Sequence, residues 1–298
     1  MGHRARIARR AGAVCLLAAA CLAACGPNNK PTALRPAAAD PASTPVRTSP
    51  FPGTSTTAAA PSTTEAPTTT TTTAVPRPAR PPGPPRVMIF GDSIAWEAHD
   101  AFQFFLPGAV VKGRMFWGTA ICSWFGYMQQ DTESFRPDVV VAEFAGVDFS
   151  PCLRGRAPVG SGPAAITAAF RTDAITATGI LSKYGAEVIW VGAPVDYQNP
   201  DQTLQHMYAT LPSLVPHAAY VDAGPSVAPG DVFTWTLPCL PHEPGCRNGT
   251  VVVRSPDGRH FCPIQSTLYY CPVWSGGALR FGGAMAAAAN SYLQSIGL

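Results

Sequence analysis

The chain has 298 residues and a formal net charge of +3, and only 13% of its residues are charged. Several of its arginines lie within the first ten residues, and the rest of the chain shows neither a basic stripe nor interleaved basic and aromatic residues. This composition argues against nucleic acid as a partner. Hydrophobic residues make up 46% of the chain, which is enough to build a substantial core.

The N-terminus carries the pattern of an export signal. The basic segment "MGHRARIARR" precedes the apolar stretch "AGAVCLLAAACLAAC", which is too short to span a bilayer comfortably. Its end, Leu22-Ala23-Ala24-Cys25 followed by Gly26, resembles the lipobox of bacterial lipoproteins. That resemblance implies a signal peptide over residues 1–24 and a diacylglycerol anchor on the Cys25 thiol. An ordinary signal peptide that happens to contain a cysteine is the alternative.

A second region, residues 25–85, is rich in proline, threonine and alanine and has almost no large apolar side chains. Such a segment cannot bury enough surface to offset its ordering entropy, so we predict a disordered tether. It would hold an exported domain at the extracytoplasmic face of the cell membrane. Abundant alanine, proline, glycine and threonine, together with few lysines, indicate a GC-rich, actinobacterial source.

Residues 86–298 are predicted to form one domain in which apolar runs alternate with helical patterns. The strand-like runs are, in chain order, "RVMIF", "AVVKG", "PDVVVAEFAG", "AEVIWVGAP" and "AAYVDAG". The helical patterns are "IAWEAHDAFQFF", "WFGYMQQDTESF", "GPAAITAAFRTDAITATGILSKYG", "DQTLQHMYATLPSLV" and the final "GALRFGGAMAAAANSYLQSIGL". Continuous apolar strands separated by helices predict a parallel α/β sheet covered on both faces. Residues 223–278, rich in glycine, proline and cysteine, are predicted to be a long loop region.

Cysteine usage agrees with export. Of nine cysteines, Cys15 and Cys21 leave with the signal peptide and Cys25 would be acylated. An even number remains, which indicates disulfides in an exported chain, and six cysteines allow 15 connectivities. Short sequence separations favour the pairs Cys122–Cys152, Cys239–Cys246 and Cys262–Cys271. A zinc site is less favoured because the chain has no Cys-x-x-Cys pair, and neither a metal nor a cofactor is expected.

Two short motifs carry the candidate chemistry. Gly91-Asp92-Ser93 ends the first strand, where parallel sheets place their ligands. Ser93 is a candidate nucleophile, with a helix N-cap as the alternative, and Asp92 is expected to fix the turn. Asp257 and His260 lie three residues apart on a loop before the last helix, so one turn can present an imidazole and the carboxylate that orients it.

These motifs resemble those of the SGNH (GDSL-type) hydrolase superfamily, and the resemblance covers essentially all of residues 86–298. It implies a flavodoxin-like, three-layer α/β/α fold. It also implies cleavage or transfer of acyl esters by a triad of Ser93, His260 and Asp257. No metal takes part in that chemistry.

The same resemblance implies an oxyanion hole with three donors. In the family these are the backbone N–H of the nucleophile, a glycine N–H after the second strand and an asparagine side chain after the third. The counterparts here are Ser93, Gly118 (with Gly113 as the alternative) and Asp148. Asp148 departs from the pattern, since an ionised carboxylate cannot donate a hydrogen bond. It would serve only if protonated or through its backbone N–H.

The sequence thus predicts an exported, lipid-anchored serine esterase or acyltransferase, whose substrate is a small-molecule ester or an ester of envelope glycan or lipid. We expect a monomer whose membrane contact is the Cys25 anchor. The alternative is a binding or scaffolding lipoprotein that keeps the fold without turnover. Arg254 and Arg259 could bind an anionic substrate, although solvated surface positions are the simpler interpretation.

Overall fold

The structure is a computed structural model that describes residues 80–298, except residues 199 and 264–273. The predicted signal peptide and residues 25–79 of the predicted tether lie outside the described residues. Arg80, near the end of that predicted tether, donates from its Nε to the carboxylate of Asp138 at 2.9 Å. The same carboxylate accepts the backbone N–H of Arg86 at 2.8 Å. Within the described part of the chain, no helix is both long and apolar enough to cross a bilayer.

Strands and helices alternate through most of the domain, as the apolar pattern predicts. The strands are β1 (Arg86–Gly91), β2 (Val110–Met115), β3 (Val139–Glu143), β4 (Glu187–Gly192), β5 (Ala218–Asp222), β6 (Thr236–Pro238) and β7 (Thr250–Val252). The α-helices are α1 (Ser93–Phe104), α2 (Phe125–Phe135), α3 (Pro163–Leu181), α4 (Thr203–Leu214) and α5 (Gly276–Ser295). A 3-10 turn over Ile121–Trp124 leads directly into α2.

The first five strands form one parallel sheet in the order β2-β1-β3-β4-β5. This is the order of flavodoxin-like doubly wound folds, so the predicted fold class is confirmed. The register aligns Gly91 at the end of β1 with Met115 of β2 and with Glu143 of β3. The loops that leave these three strands therefore emerge side by side at one edge of the sheet.

Alternating strand residues divide the core into two layers, because successive side chains of a strand point to opposite faces. Val87 and Ile89 of β1 belong to the cluster that packs beneath α1 and α5. Met88 and Phe90 belong to the cluster beneath α2, α3 and α4. Helices cover both faces of the sheet, which gives the three-layer arrangement.

The predicted long loop over residues 223–278 contains two short strands within its described part. β6 and β7 pair antiparallel, with Thr236 opposite Val252, and the Cys239–Cys246 disulfide closes their connection. Sequence periodicity missed these strands because each has three residues, too few to show an alternating pattern. The hairpin ends next to the segment that carries Asp257 and His260.

Candidate active site

The turn between β1 and α1 fixes the position of Ser93. A Cβ added at Gly91 would lie 2.3 Å from Cβ of Ala95 and 2.6 Å from the carbonyl oxygen of Glu143, so only glycine fits this close approach. Asp92 caps α1, with its Oδ1 accepting the N–H of Ile94 at 3.0 Å. Asp92 is therefore the N-cap of α1, in agreement with its predicted role in fixing the turn. Ser93 is the first helical residue, and its hydroxyl is not used for capping.

Ser93, His260 and Asp257 come together in space although 167 residues separate the serine from the histidine. Ser93 Oγ lies 2.8 Å from Nε2 of His260, and Nδ1 of His260 lies 2.6 Å from Oδ2 of Asp257. With the proton on Nδ1 donated to Asp257, Nε2 is free to accept the Ser93 hydroxyl proton. The three side chains thus form a continuous relay from hydroxyl to imidazole to carboxylate.

Asp257 also organises its own turn. Its Oδ1 accepts the backbone N–H groups of Arg259 at 2.9 Å and His260 at 3.0 Å. Burial alone would raise the pKa of the Asp257 carboxyl, but the hydrogen bonds from His260 and Arg259 outweigh it and hold the pKa below its ordinary value. The carboxylate stays ionised and can stabilise a positive imidazole beside it.

The environment of His260 favours its protonated form. Partial burial opposes the charge, but the hydrogen bond to Asp257 and the negative charges of Glu97, Asp257 and Asp92 outweigh that penalty and raise the pKa of the imidazole. An imidazole with a raised pKa is a stronger base toward a hydroxyl proton. The raised pKa therefore makes His260 a better acceptor for the Ser93 proton at the moment the hydroxyl attacks a carbonyl carbon.

Glu97 also belongs to this site, although sequence reasoning did not single it out. It lies one helical turn after Ser93, and its Oε2 accepts the N–H groups of Phe261 at 2.5 Å and Cys262 at 2.9 Å. These two amides directly follow His260 in the chain. The only signal in the sequence was the four-residue spacing from Ser93, which places both side chains on one side of α1.

A pair of buried acids lies beneath the turn. Oδ2 of Asp92 accepts the N–H of Ala145 at 2.8 Å, which ties the start of α1 to the loop after β3. Burial raises the pKa of Asp92 to about 6, against the opposing effect of its two backbone hydrogen bonds. Glu143 is fully buried, and burial followed by the charge of Asp92 raises its pKa well above the ordinary value. Neither carboxyl oxygen of Glu143 has a close hydrogen-bond partner among the described residues, and the N–H of Ala95 only partly opposes the rise in its pKa.

The two glycines considered for the oxyanion hole occupy different settings. Gly118 lies in the loop after β2 with a φ of +69°, and a Cβ there would meet the ring of Phe149 at 2.5 Å. Gly113 lies inside β2, where a Cβ would approach the side chains of Met115 and His99. A mid-strand position does not reach the edge where Ser93 lies. Gly118 is therefore the better-placed of the two.

Asp148 does not point its carboxylate to an obvious oxyanion position. Its Oδ2 accepts the N–H of Gly160, in the loop before α3, at 3.4 Å. An acceptor in that role contributes nothing to stabilising negative charge. The N–H of Ser93 has no acceptor within its own helix because Ser93 begins α1, so it remains a candidate donor.

Two predicted disulfides are confirmed. Cys122 pairs with Cys152 and Cys239 pairs with Cys246, with Cα–Cα separations of 6.0 Å and 5.7 Å. The third predicted pair places Cys271 outside the described residues. The Cys122–Cys152 disulfide joins the segment after β2 to the segment after β3. A hydrogen bond of 2.9 Å between the hydroxyl groups of Ser123 and Ser150 links the same two segments.

A cluster of aromatic rings lies beside Ser93. Trp96, three residues after Ser93, stacks on Phe116 with ring centroids 5.5 Å apart and also contacts Trp117 at 6.4 Å. The N–H of Phe116 donates to the carbonyl of Gly91 at 3.4 Å, so this cluster lies directly against the turn that carries Ser93. Phe116 and Trp117 are each about half exposed.

A second aromatic cluster lies beside the loop of Asp257 and His260. Tyr197, Phe233 and Trp235 contact one another with centroid separations of 5.1, 5.6 and 4.9 Å. A Cβ at Gly258 would lie 2.6 Å from Cβ of Tyr197, so the cluster packs against the backbone between Asp257 and His260. Aromatic rings thus lie both beside Ser93 and beside the segment that carries Asp257 and His260.

Arg254 is not at the solvated position considered in the sequence, whereas the Arg259 side chain stays partly exposed. Arg254 is 1% exposed; its guanidinium lies over the rings of Phe233 and Phe261 and donates to the carbonyl of Val195 at 3.0 Å. Burial lowers its pKa to about 10. Arg259 forms an ion pair with Asp196. Both arginines support the loop that presents His260, a role that an isolated basic residue in a sequence does not reveal.

Among the described residues, no group of three or more histidine, cysteine, aspartate or glutamate side chains is arranged to hold a metal ion.

No family model matches this chain, and no curated protein matches it. Solved structures do show similarity. A lipase/acylhydrolase from Enterococcus faecalis is 15% identical, covers 70% of this chain and 96% of its own, and has a TM-score of 0.44. A carbohydrate acetylesterase family member from Sinorhizobium meliloti is 13% identical, with coverages of 70% and 99% and a TM-score of 0.45. The catalytic domain of peptidoglycan O-acetyltransferase A from Streptococcus pneumoniae is 15% identical, with coverages of 72% and 95% and a TM-score of 0.41.

Proposed function

We propose that this chain is an exported, lipid-anchored serine esterase or acyltransferase of SGNH type. The observation that carries the proposal is the relay in which Ser93 Oγ lies 2.8 Å from His260 and His260 lies 2.6 Å from Asp257. Nucleophile, base and orienting carboxylate in hydrogen-bond reach of one another are the arrangement that acyl transfer through a serine requires.

The first half of the reaction forms an acyl-enzyme. As Ser93 Oγ attacks the ester carbonyl carbon, its proton passes to Nε2 of His260, and Asp257 stabilises the resulting imidazolium. Backbone N–H groups of Ser93 and Gly118 stabilise the negative oxygen of the tetrahedral intermediate. The intermediate collapses when the C–O bond to the alcohol breaks and His260 returns the proton to the leaving oxygen.

The second half restores the serine. Water, or the hydroxyl of an acceptor, gives its proton to His260 as its oxygen attacks the acyl carbonyl. Collapse of the second tetrahedral intermediate breaks the bond to Ser93 Oγ, which regains the proton from His260. Water yields a carboxylic acid, whereas an acceptor alcohol yields a new ester, so the same residues serve hydrolysis and transfer.

The substrate we favour is an ester of envelope glycan or lipid. The exposed rings beside Ser93 and beside Gly258 provide apolar surface on both flanks of the relay, which suits a substrate with apolar faces. Acylation of Cys25, which lies outside the described residues, would keep the domain near such esters.

Ester hydrolysis tests the proposal directly. The purified domain should hydrolyse a p-nitrophenyl acyl ester, and Ser93→Ala should lower kcat by at least about 10³-fold because it removes the nucleophile. Ser213→Ala, at an exposed serine of α4, is the matched control and should keep full activity.

A non-catalytic binding protein is the second candidate, and the position of Asp148 favours it. A carboxylate stands where the family has an asparagine donor, and it accepts from Gly160. Glycan binding that survives Ser93→Ala, with no turnover of any ester, would favour this candidate over the enzyme.

A further inference from the structure

We propose that Glu97 is the positioning residue of this site: its carboxylate fastens the backbone that follows His260 to the helix that begins at Ser93. The inference rests on the proposed function for its meaning in catalysis, but its geometric content does not depend on turnover. It assigns a role to a residue that no motif marks.

One carboxylate oxygen makes both contacts. Oε2 of Glu97 accepts from the N–H of Phe261 at 2.5 Å and from the N–H of Cys262 at 2.9 Å. Phe261 and Cys262 are both buried, so these amides have little access to solvent as an alternative partner. Removing the acceptor would leave two buried donors unpaired next to the catalytic imidazole.

The helix that carries Glu97 is a firm support. Its buried face includes Ile94, Ala98 and Phe102, and it packs so closely on α5 that a Cβ at Gly282 would lie 2.6 Å from the carbonyl oxygen of Ala98. Ser93 and Glu97 project from this helix one turn apart. Ser93 and Glu97 therefore keep a fixed spacing on α1. The two hydrogen bonds accepted by Glu97 hold the backbone after His260 in place relative to Ser93.

Glu97 also acts on the charge of His260. The negative groups that face the imidazole are Asp257, Glu97 and Asp92, and all three favour its protonated form. The positive charge of Arg259 lowers the pKa of Asp92 and so helps to keep that carboxyl negative. Loss of the Glu97 charge should thus lower the pKa of His260 while Asp257 and Asp92 remain in place.

Two substitutions distinguish the hydrogen bonds that Glu97 accepts from the effect of its negative charge on His260. Glu97→Gln keeps an oxygen that can accept from both amides but removes the negative charge. Glu97→Ala removes both. Asp100→Asn, which removes a charge from an exposed side chain on the same helix, is the matched control. The readouts are kcat/KM against pH and the His260 imidazole titration followed by NMR.

Glu97→Gln should shift the acid limb of the kcat/KM profile, and the NMR titration of His260, to lower pH, with the alkaline plateau reduced by less than about tenfold. The sign follows because the reaction needs neutral His260, and a lower pKa keeps it neutral at lower pH. Glu97→Ala should reduce the plateau by about 10²-fold, since small displacements of catalytic groups have effects of that size. Asp100→Asn should change neither measurement.

Folded Glu97→Ala protein with the wild-type kcat/KM plateau would overturn the positioning role. An unchanged His260 titration and pH profile in Glu97→Gln would overturn the charge effect, and this second test stands even if Glu97→Ala fails to fold. The NMR titration also distinguishes this failure from failure of the proposed function. A wild-type protein without esterase activity whose His260 titration still moves in Glu97→Gln would retain the effect of Glu97 on His260 and lose only the enzyme.

Discussion

At the residue scale, three consecutive residues have separate roles at the start of α1. Gly91 permits the close turn, Asp92 supplies the helix cap and ties it to Ala145, and Ser93 faces His260. Because Asp92 accepts the N–H of Ile94 at the start of the helix, the hydroxyl of Ser93 is not needed for capping and can face His260. A serine in the capping position would have used the same hydroxyl to hold the backbone.

The buried Glu143 makes a prediction about stability and pH. Its pKa is raised on folding, so the folded state binds more protons than the unfolded state between the unfolded value of about 4.3 and the raised folded value. Stability therefore falls as pH rises through that window, by up to about 1.4 kcal/mol per pH unit from this group. Glu143→Gln should flatten the fall, measured as the unfolding free energy in urea between pH 5 and pH 7.

Glu133→Gln is the control for that measurement. Glu133 is exposed and paired with Lys183, and its replacement should leave the slope of stability against pH unchanged. A Glu143→Gln protein whose slope equals that of wild type would contradict the view that this carboxyl stays protonated inside the fold.

At the element scale, the contact of α1 with α5 sets where Ser93 sits. Gly282 of α5 lies so near α1 that a Cβ would be 2.6 Å from the backbone of Ala98 and 2.8 Å from Cβ of Ala101. Gly282→Ala should separate the helices and destabilise the domain by about 1–3 kcal/mol. Urea unfolding measures the loss.

Gly179→Ala, in α3 on the other face of the sheet, should have the opposite sign. Gly179 is exposed in α3, and nothing lies within 4 Å of a Cβ built there. The same exchange should stabilise the domain by about 0.5–1 kcal/mol, because alanine loses less backbone entropy in a helix. Equal effects at the two glycines would show that the α1–α5 contact is not close-packed.

The loops at the edge of the sheet are joined at the same scale. The Cys122–Cys152 disulfide and the hydrogen bond between the hydroxyl groups of Ser123 and Ser150 link the segments that follow β2 and β3. Gly118 in the first loop packs on Phe149 in the second. These contacts fix the position of the loop that carries Gly118, one of the proposed oxyanion donors.

At the scale of the whole molecule, the sequence predicted what local patterns encode. Buried strands separated by helices predicted the layered sheet, and two disulfides followed from short spacings of cysteines in an exported chain. Ser93, Asp257 and His260 were recognisable because each stands in a short motif at a strand end or before the last helix. The sheet order then brings both motifs to one edge.

Features that depend on distant backbone escaped prediction. Glu97 binds amides 164 and 165 residues away, and no pattern of side chains marks such a contact. The burial of Arg254 depends on rings from two other segments, and the orientation of Asp148 depends on the loop at Gly160. Each is decided by tertiary packing rather than by local sequence.

Covalent labelling with a fluorophosphonate tests the central claim most directly, because the probe reacts with a serine that a neighbouring base has activated. The account predicts one phosphonate per folded wild-type molecule, located on Ser93 by peptide mass spectrometry, and none on Ser93→Ala. Folded wild-type protein that takes up no phosphonate, or takes it up on another residue, would contradict the account.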